Sequence, residues 1–364
     1  MKRRYSIPQW ILLGLLATLL VLHFTLPILV RDYLNDKLAE MGSYSGHITD
    51  VDLAWWRGAY QINGLEIVKT GGHVRLPFVE VPVIDLAVSW NALWYKRAIV
   101  AEVIFEQPVL NFVDGGADSQ ASQTGEGTDW REQLKKLLPI TLDEARVLDG
   151  RVHFHNFTSD PPVELQASNV NASVYNLTTV ADEQGKRVAH FEGKAQLLGH
   201  APLEATASFD PLEDFENFVL KLRATGIELP QVNSFSSAYG KFDFKAGTGD
   251  LVVEARADDG ELSGYIKPLL RNVEVFDWEQ DVTRDDKGFF RSVWEAIVGG
   301  SEKLLKNQRV DQFATRVELS GNVHQQNISA FQAFIAILRN GFIQAFSTRF
   351  ESSLEEGDSA PSAE

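Results

Sequence analysis

Residues 190–210 read HFEGKAQLLGHAPLEATASFD. Phe191, Ala195 and Leu197 alternate with Glu192, Lys194 and Gln196, and Leu203, Ala205, Ala207 and Phe209 alternate with Glu204, Thr206 and Ser208. A period of two places the two sets on opposite faces of a strand. Leu198-Gly199-His200 between the runs is turn chemistry. Two antiparallel strands follow, with one apolar and one wet face.

The same text continues on both sides. RVHFHNF (151–157), FVLKLRA (218–224), GKFDFKAG (240–247) and DLVVEARA (250–257) also alternate. Turns are expected at Asp149-Gly150, Asp160-Pro161-Pro162, Thr225-Gly226, Thr248-Gly249-Asp250 and Asp258-Asp259-Gly260. Over 140–283 this makes eight or nine locally connected strands, interrupted by a short helix over 229–239. Upstream, VDLAWW (51–56), YQINGLEIVK (60–69), PFVEVPVIDLAVSW (77–90) and RAIVAEVIFEQPVLNFV (97–113) form a further meander. In the third run Val79, Val81 and Val83 hold one face and Ile84, Leu86, Val88 and Trp90 the other, which requires a bulge near Val83-Ile84 or burial on both faces. Ser89 to Trp94 reads as a Ser-capped helical turn.

Between the two β regions, DGGADSQASQTGEGTD (114–129) has the composition of a flexible linker. Trp130, Leu134, Leu137 and Leu138 then space as a short amphipathic helix that Pro139 stops. After residue 283 the pattern turns helical. Phe290, Val293, Trp294, Ile297, Leu304 and Leu305 form one stripe, and Phe331, Phe334, Ile335, Leu338, Phe342 and Phe346 another. One strand, 315–321, lies between them. The second helix is too apolar to stand free in water and is expected to cap the sheet edge; residues 351–364, acidic and Ser-rich, read as a disordered tail.

At the other end, Ile7 to Val30 contains no Asp, Glu, Lys or Arg. A helix of that length is roughly 36 Å long, enough to span a bilayer with some tilt. Trp10, Leu12, Leu16, Leu20, Phe24 and Ile28 are its candidate membrane-anchor residues, and Lys2, Arg3 and Arg4 before it keep the N-terminus cytoplasmic. A cleaved signal peptide has a shorter apolar core and a small-x-small site, and this core runs on past Leu16-Ala17-Thr18. Leu34, Leu38 and Met41 extend the periodicity until Gly42.

Composition narrows the function. The 364 residues carry a formal net charge of -16, which opposes nucleic-acid binding and gives the soluble part no polybasic surface for anionic lipid headgroups, so any lipid contact is expected to be apolar. The absence of cysteine excludes disulfides, thiolate catalysis and Cys-bound metal. The phosphate-binding P-loop, the dinucleotide fingerprint, the nucleophile elbow and H-E-x-x-H are all missing from the sequence. Gly247-Thr248-Gly249 reads as a hairpin turn, and His153 and His155 as wet-face strand residues. No enzyme activity, cofactor or metal is expected. The organisation is therefore a cytoplasmic stub and anchor (1–41), a β unit (42–113), linker and helix (114–139), a β-meander (140–283), a helical region (284–350) and a tail (351–364). The fold class is mainly β, an elongated antiparallel groove or sandwich with flanking helices.

The order of an anchor helix, then Gly58-Ala-Tyr-Gln-Ile-Asn-Gly-Leu-Glu-Ile, Leu86-Ala-Val-Ser-Trp and Ile104-Phe-Glu-Gln-Pro-Val-Leu-Asn-Phe resembles the N-terminal unit of AsmA-like envelope proteins. Ala145-Arg-Val-Leu-Asp-Gly-Arg-Val-His-Phe, Leu229-Pro-Gln-Val-Asn-Ser-Phe, Tyr239-Gly-Lys-Phe-Asp-Phe-Lys-Ala-Gly and the segment from Gly264 to Val275 extend the likeness. The resemblance implies a bacterial inner-membrane anchor carrying a taco-like β-groove with an apolar lining, related to bridge-like lipid transfer proteins. Its partners would be the inner membrane, phospholipid and other envelope proteins, and it supplies no catalytic residues. Fifteen strands would give a groove of roughly 70 Å, short for bridging two membranes alone. Two readings of the apolar face stay open: an open groove that shields acyl chains, or the closed core of an envelope scaffold or regulator. Alternation is the same in both.

Overall fold

A computed structural model describes residues 6–54, 59–88, 100–116, 120–125, 128, 141–177, 188–210, 217–240, 243–275, 310–314 and 316–322. The expected helical turn at 89–94, the helices at 130–138, 288–307 and 328–350, the cap formed by the last of these, and the tail lie outside the described residues. α1 (Ser6–Leu38) holds the apolar stretch of the expected anchor. It is long and apolar enough to cross a membrane. Leu34, Leu38 and Met41 beyond the span are buried, and Gly42 turns the chain with φ 75°.

Fifteen strands form one sheet. They are β1 (Tyr44–His47), β2 (Asp50–Ala54), β3 (Ala59–Lys69), β4 (Val79–Val88), β5 (Val100–Glu106), β6 (Val109–Val113), β7 (Thr141–Asn156) and β8 (Val163–Tyr175), then β9 (Ala189–Leu197), β10 (Ala201–Phe209), β11 (Phe218–Glu228), β12 (Phe244–Asp258), β13 (Glu261–Val275), β14 (Val310–Ala314) and β15 (Val317–Asn322). β1 and β2 share one position beside β3, β5 and β6 share one beside β7, and β14 and β15 share one beside β13. The sheet is thus twelve strand positions wide. Eleven gaps of about 4.8 Å make roughly 53 Å along its surface, shorter than the 70 Å expected from fifteen separate strands.

Three features depart from the sequence reading. The pairing is antiparallel except where β7 lies parallel to β5 and β6, because the 114–140 crossover carries the chain back before β7 starts, as a parallel neighbour requires. Asp149-Gly150 and Thr225-Gly226 are not hairpin turns but irregularities inside β7 and β11, and Thr248-Gly249-Asp250 is not a turn but regularly paired strand inside β12. Among the described residues seven strands occupy 141–275, where eight or nine were expected over 140–283. The expected linker is docked where it is described. Gln123 is fully buried and pairs with Val113, and the Gly125 N–H donates to the Tyr44 hydroxyl at 2.9 Å. Ser122 accepts from Lys69 Nζ, so backbone bonding, which composition does not display, orders this stretch.

The irregularities line up across the sheet. Gly64 in β3, Gln107 between β5 and β6, Asp149 in β7, Asn169 in β8, Gly226 in β11, Gly247 in β12 and Asn272 in β13 all have positive φ. Their side chains bond along the line: Gln107 Nε2 donates to Asp149 Oδ2 (3.3 Å), Asp149 N to Asn171 Oδ1 (3.2 Å), and Asn169 Nδ2 to Gln196 Oε1 (2.9 Å). Bulges bend and twist a sheet, and a row of them makes a crease along which the sheet curls. Of the two forms expected at Val83-Ile84 the structure has burial on both faces: β4 runs in step with β3, and Val81 and Ile84 are both buried.

The curl is held at one end by the connection between β11 and β12. Residues 229–240 form a 3-10 turn Leu229–Val232, a helical turn Asn233–Phe235 and a π turn Ser236–Gly240, in agreement with the short helix expected there. Phe235 lies edge-to-face on Phe154 of β7, ring centroids 6.3 Å apart. On a flat sheet β7 and β11 would stand about 19 Å apart. Two cores flank the middle of the sheet. One gathers Leu34, Leu38, Tyr44, Ile62, Phe78 and Leu86 at the α1 end, and the other Leu229, Phe244, Leu270 and Val273 beneath the insert.

Candidate functional site

The strand register aligns side chains into rows that cross the whole sheet. One row is Val51, Ile62, Ile84, Phe105, Val147, Ala172, Gly193, Ala205, Leu222, Val253, Ile266 and Val317, twelve positions without a polar side chain. The next row on the same face is Leu53, Tyr60, Leu86, Val103, Ala145, Val174, Phe191, Ala207, Leu220, Ala255, Gly264 and Leu319. Tyr60 is its single polar group. Burial pushes its phenol up to about 12, so it stays neutral.

The row between them points the other way and reads Asp52, Gln61, Asp85, Ile104, Arg146, Ser173, Glu192, Thr206, Lys221, Glu254, Tyr265 and Glu318. On this outer face Arg146 pairs with Glu102 and Glu144. Apart from Ile104 outside and Tyr60 inside, polar residues hold the outer row and apolar ones the inner rows.

The inner face is not uniformly covered. At the α1 end Val51, Ile62 and Ile84 are buried, and at the far end so are Val253 and Ile266. Between them, over β8 to β11, Leu165, Val174, Phe191, Leu197, Leu203, Phe209, Leu220 and Leu222 are only half-buried. These partly exposed side chains, with Val163, Ala189, Ala201 and Ala224 of the same strands and face buried beside them, make an apolar strip about four strands wide among the described residues. It fits an apolar ligand and has no charged or nucleophilic side chain in its two central rows.

All six candidate anchor residues lie in α1. Trp10 is 71% exposed, Leu12 67%, Leu16 57%, Leu20 51%, Phe24 69% and Ile28 50%, so the protein itself does not cover them. Phe24 and Ile28, with His23 and Pro27, also wall a cavity of about 530 Å³ whose other side is Val51, Leu53, Ala59 and Tyr60, with Asp50, Asp52 and Asp85 around it. The helix thus borders the start of the apolar rows.

His153 and His155 are not both wet. Their rings stack at 5.7 Å, His155 stacks in turn on Phe157 at 5.1 Å, and His155 is only 8% exposed. Burial lowers the His155 pKa, Glu164 opposes that, and His153 adds to it. The sequence reading missed Phe157 closing over the pair. It also missed Tyr60 and the cavity, and it placed the short helix at 229–239 without its packing on β12, where a Cβ at Gly247 or Gly249 would come within 3.0 Å of Leu229.

No protein-family model matches the chain, and no curated protein does either.

Proposed function

We propose that this chain is an AsmA-like envelope protein, held in the bacterial inner membrane by α1 with its N-terminus cytoplasmic and its sheet in the periplasm. Its inner face shields phospholipid acyl chains and hands phospholipid between the envelope membranes in outer-membrane biogenesis or homeostasis. The observation that carries this reading is the partly exposed apolar strip over β8 to β11, continuous by register with residues that border the anchor helix. A closed scaffold core would cover that strip.

The physical work is sheltering, not chemistry. Each methylene withdrawn from water contributes about 0.8 kcal/mol, so one acyl chain gains on the order of 10 kcal/mol against water on an apolar floor. The gain is shared evenly along the rows, and an acyl chain can shift without meeting a polar barrier. At roughly 53 Å the face suits a shuttle or one module of a longer assembly.

Native mass spectrometry of the full chain, released gently from detergent, tests the reading. The expected result is a phospholipid adduct that disappears when Phe191 and Leu222 are both changed to Asp. A chain that flies without phospholipid, or an adduct untouched by that double change, contradicts it.

A further inference from the structure

The anchor helix and the first strands run alongside each other. A Cβ on Gly46 would meet Leu38 at 3.0 Å, Asn35 bonds both backbone groups of Ile48, and Phe24 shares cavity walls with Leu53 and Tyr60. From Asn35 back to Phe24 the helix covers about 16 Å, and from Ile48 to Leu53 the strand covers about 17 Å. The two lengths match, so helix and strand stay level over the whole distance. Phe24 and Ile28, though, belong to the exposed apolar stretch that a bilayer would cover.

We infer that the end of the sheet where β2 meets β3 and β4 meets β5 docks on the outer surface of the bilayer that α1 crosses. Ala54, Ala59 and Ala87 stand side by side at this end, and Ala87 pairs on with Glu102 of β5. Placing α1 in a bilayer only to the depth of Phe24, about 9 Å short of the end of its apolar stretch at Val30, brings them to the headgroups and keeps Asp50, Asp52 and Asp85 on the aqueous side.

The sequence of the two connections that leave this end agrees. Trp55-Trp56-Arg57-Gly58 follows Ala54, and Ser89-Trp90-Asn-Ala-Leu-Trp94-Tyr95-Lys96-Arg97 follows Val88. They hold four of the chain's eight tryptophans together with three cations, in a protein of net charge -16. Tryptophan, tyrosine and basic residues are the composition of the membrane–water interface. Strands at this end therefore stand on the bilayer instead of lying across it, and the cavity between Ile28 and Leu53 opens at headgroup level.

This inference rests on α1 crossing a membrane and not on lipid occupying the inner face. Because the chain has no cysteine, single cysteines report position cleanly. The full-length variants Ala59→Cys, Ala54→Cys, Thr70→Cys and Leu20→Cys, each labelled with bimane, are reconstituted into vesicles of phosphatidylethanolamine and phosphatidylglycerol that contain a lipid with a nitroxide near its headgroup. Thr70 lies beyond the opposite end of β3, about 36 Å from Ala59. The expected result is that the labels at 59, 54 and 20 lose most of their emission and the label at 70 keeps it. If 59 and 54 stay as bright as 70 while 20 is quenched, the docking is wrong and the anchor stands. If 20 is also unquenched, α1 is not in the membrane and the inference falls with it.

Discussion

The Asn35 side-chain amide takes both backbone groups of Ile48, accepting from its N–H at 2.7 Å and donating to its C=O at 3.1 Å. An asparagine that mimics a strand partner in this way locks α1 to the β1–β2 junction in one register. The same device recurs at the insert, where Asn233 accepts from Phe244 N and donates to Phe244 O, both at 2.8 Å.

Asn35→Ala should remove two partly buried bonds and lower stability by about 2 kcal/mol. Asn35→Asp, lacking the donor, should not restore it. Thermal melting of the full chain in detergent checks both, and protease cleavage near Gly42 should rise in step. Unchanged melting would mean that the apolar contacts of Leu34 and Leu38 hold the helix alone.

The close approach of the insert to β12 makes Gly247 sensitive. A Cβ there would lie 3.0 Å from Leu229, 3.1 Å from the Val273 Cα and 3.2 Å from the Arg271 carbonyl, at φ 129°. Gly247→Ala should cost about 3 kcal/mol. Gly226→Ala, also at positive φ (67°) but with no atom within 4 Å, should cost only about 1 kcal/mol. Equal losses in denaturant titrations would show that the insert yields freely.

These glycines show where sequence reading reached its limit. Alternation identified nearly every strand and the polarity of each face, because period two is written locally. A glycine beside Asp or Thr announces an unusual backbone, but not whether the chain reverses or runs on in its strand; at Gly150 and Gly226 it bulges, and at Gly249 it stays paired with Leu270. The parallel placement of β7 depends on where the crossover returns, which no local pattern records. Nor does alternation tell Leu222, half-buried, from Val253, buried in the same row, since openness depends on what lies opposite.

The docked segment 120–125 hangs partly on one hydroxyl. Tyr44 is 1% exposed and its Oη accepts from Gly125 N. Tyr44→Phe leaves that buried N–H without its acceptor and should cost about 1–2 kcal/mol. Limited proteolysis should then cut within 114–129 sooner than in the parent protein. An identical digestion time course would show that the Gln123–Val113 pairing suffices.

Acid should weaken the fold through His155 first. Burial holds its folded pKa below the ordinary 6.5, so the unfolded chain takes up the proton at higher pH than the folded one. Its contribution is full above that value and declines as pH falls below it, until the folded pKa is passed. His155→Gln should flatten the melting temperature between pH 7.5 and 5. A second loss should appear below about 3.8 from Asp250. Burial would raise that carboxyl, but bonds from Arg271 at 2.6 Å and from Gly226 N outweigh it and hold the pKa down.

The most direct test of the open apolar face compares Leu222 with Lys221, neighbours in β11 that point to opposite faces. Leu222 lies half-buried between Ala205 and Val253, and Lys221 lies exposed between Thr206 and Glu254. With p-benzoylphenylalanine placed at either position in the full chain, and illumination in native membranes, the adducts are identified by mass. The account predicts phospholipid adducts from position 222 and none from 221. Adducts from both positions alike, or from neither while Phe24 in the anchor helix crosslinks lipid, would contradict it.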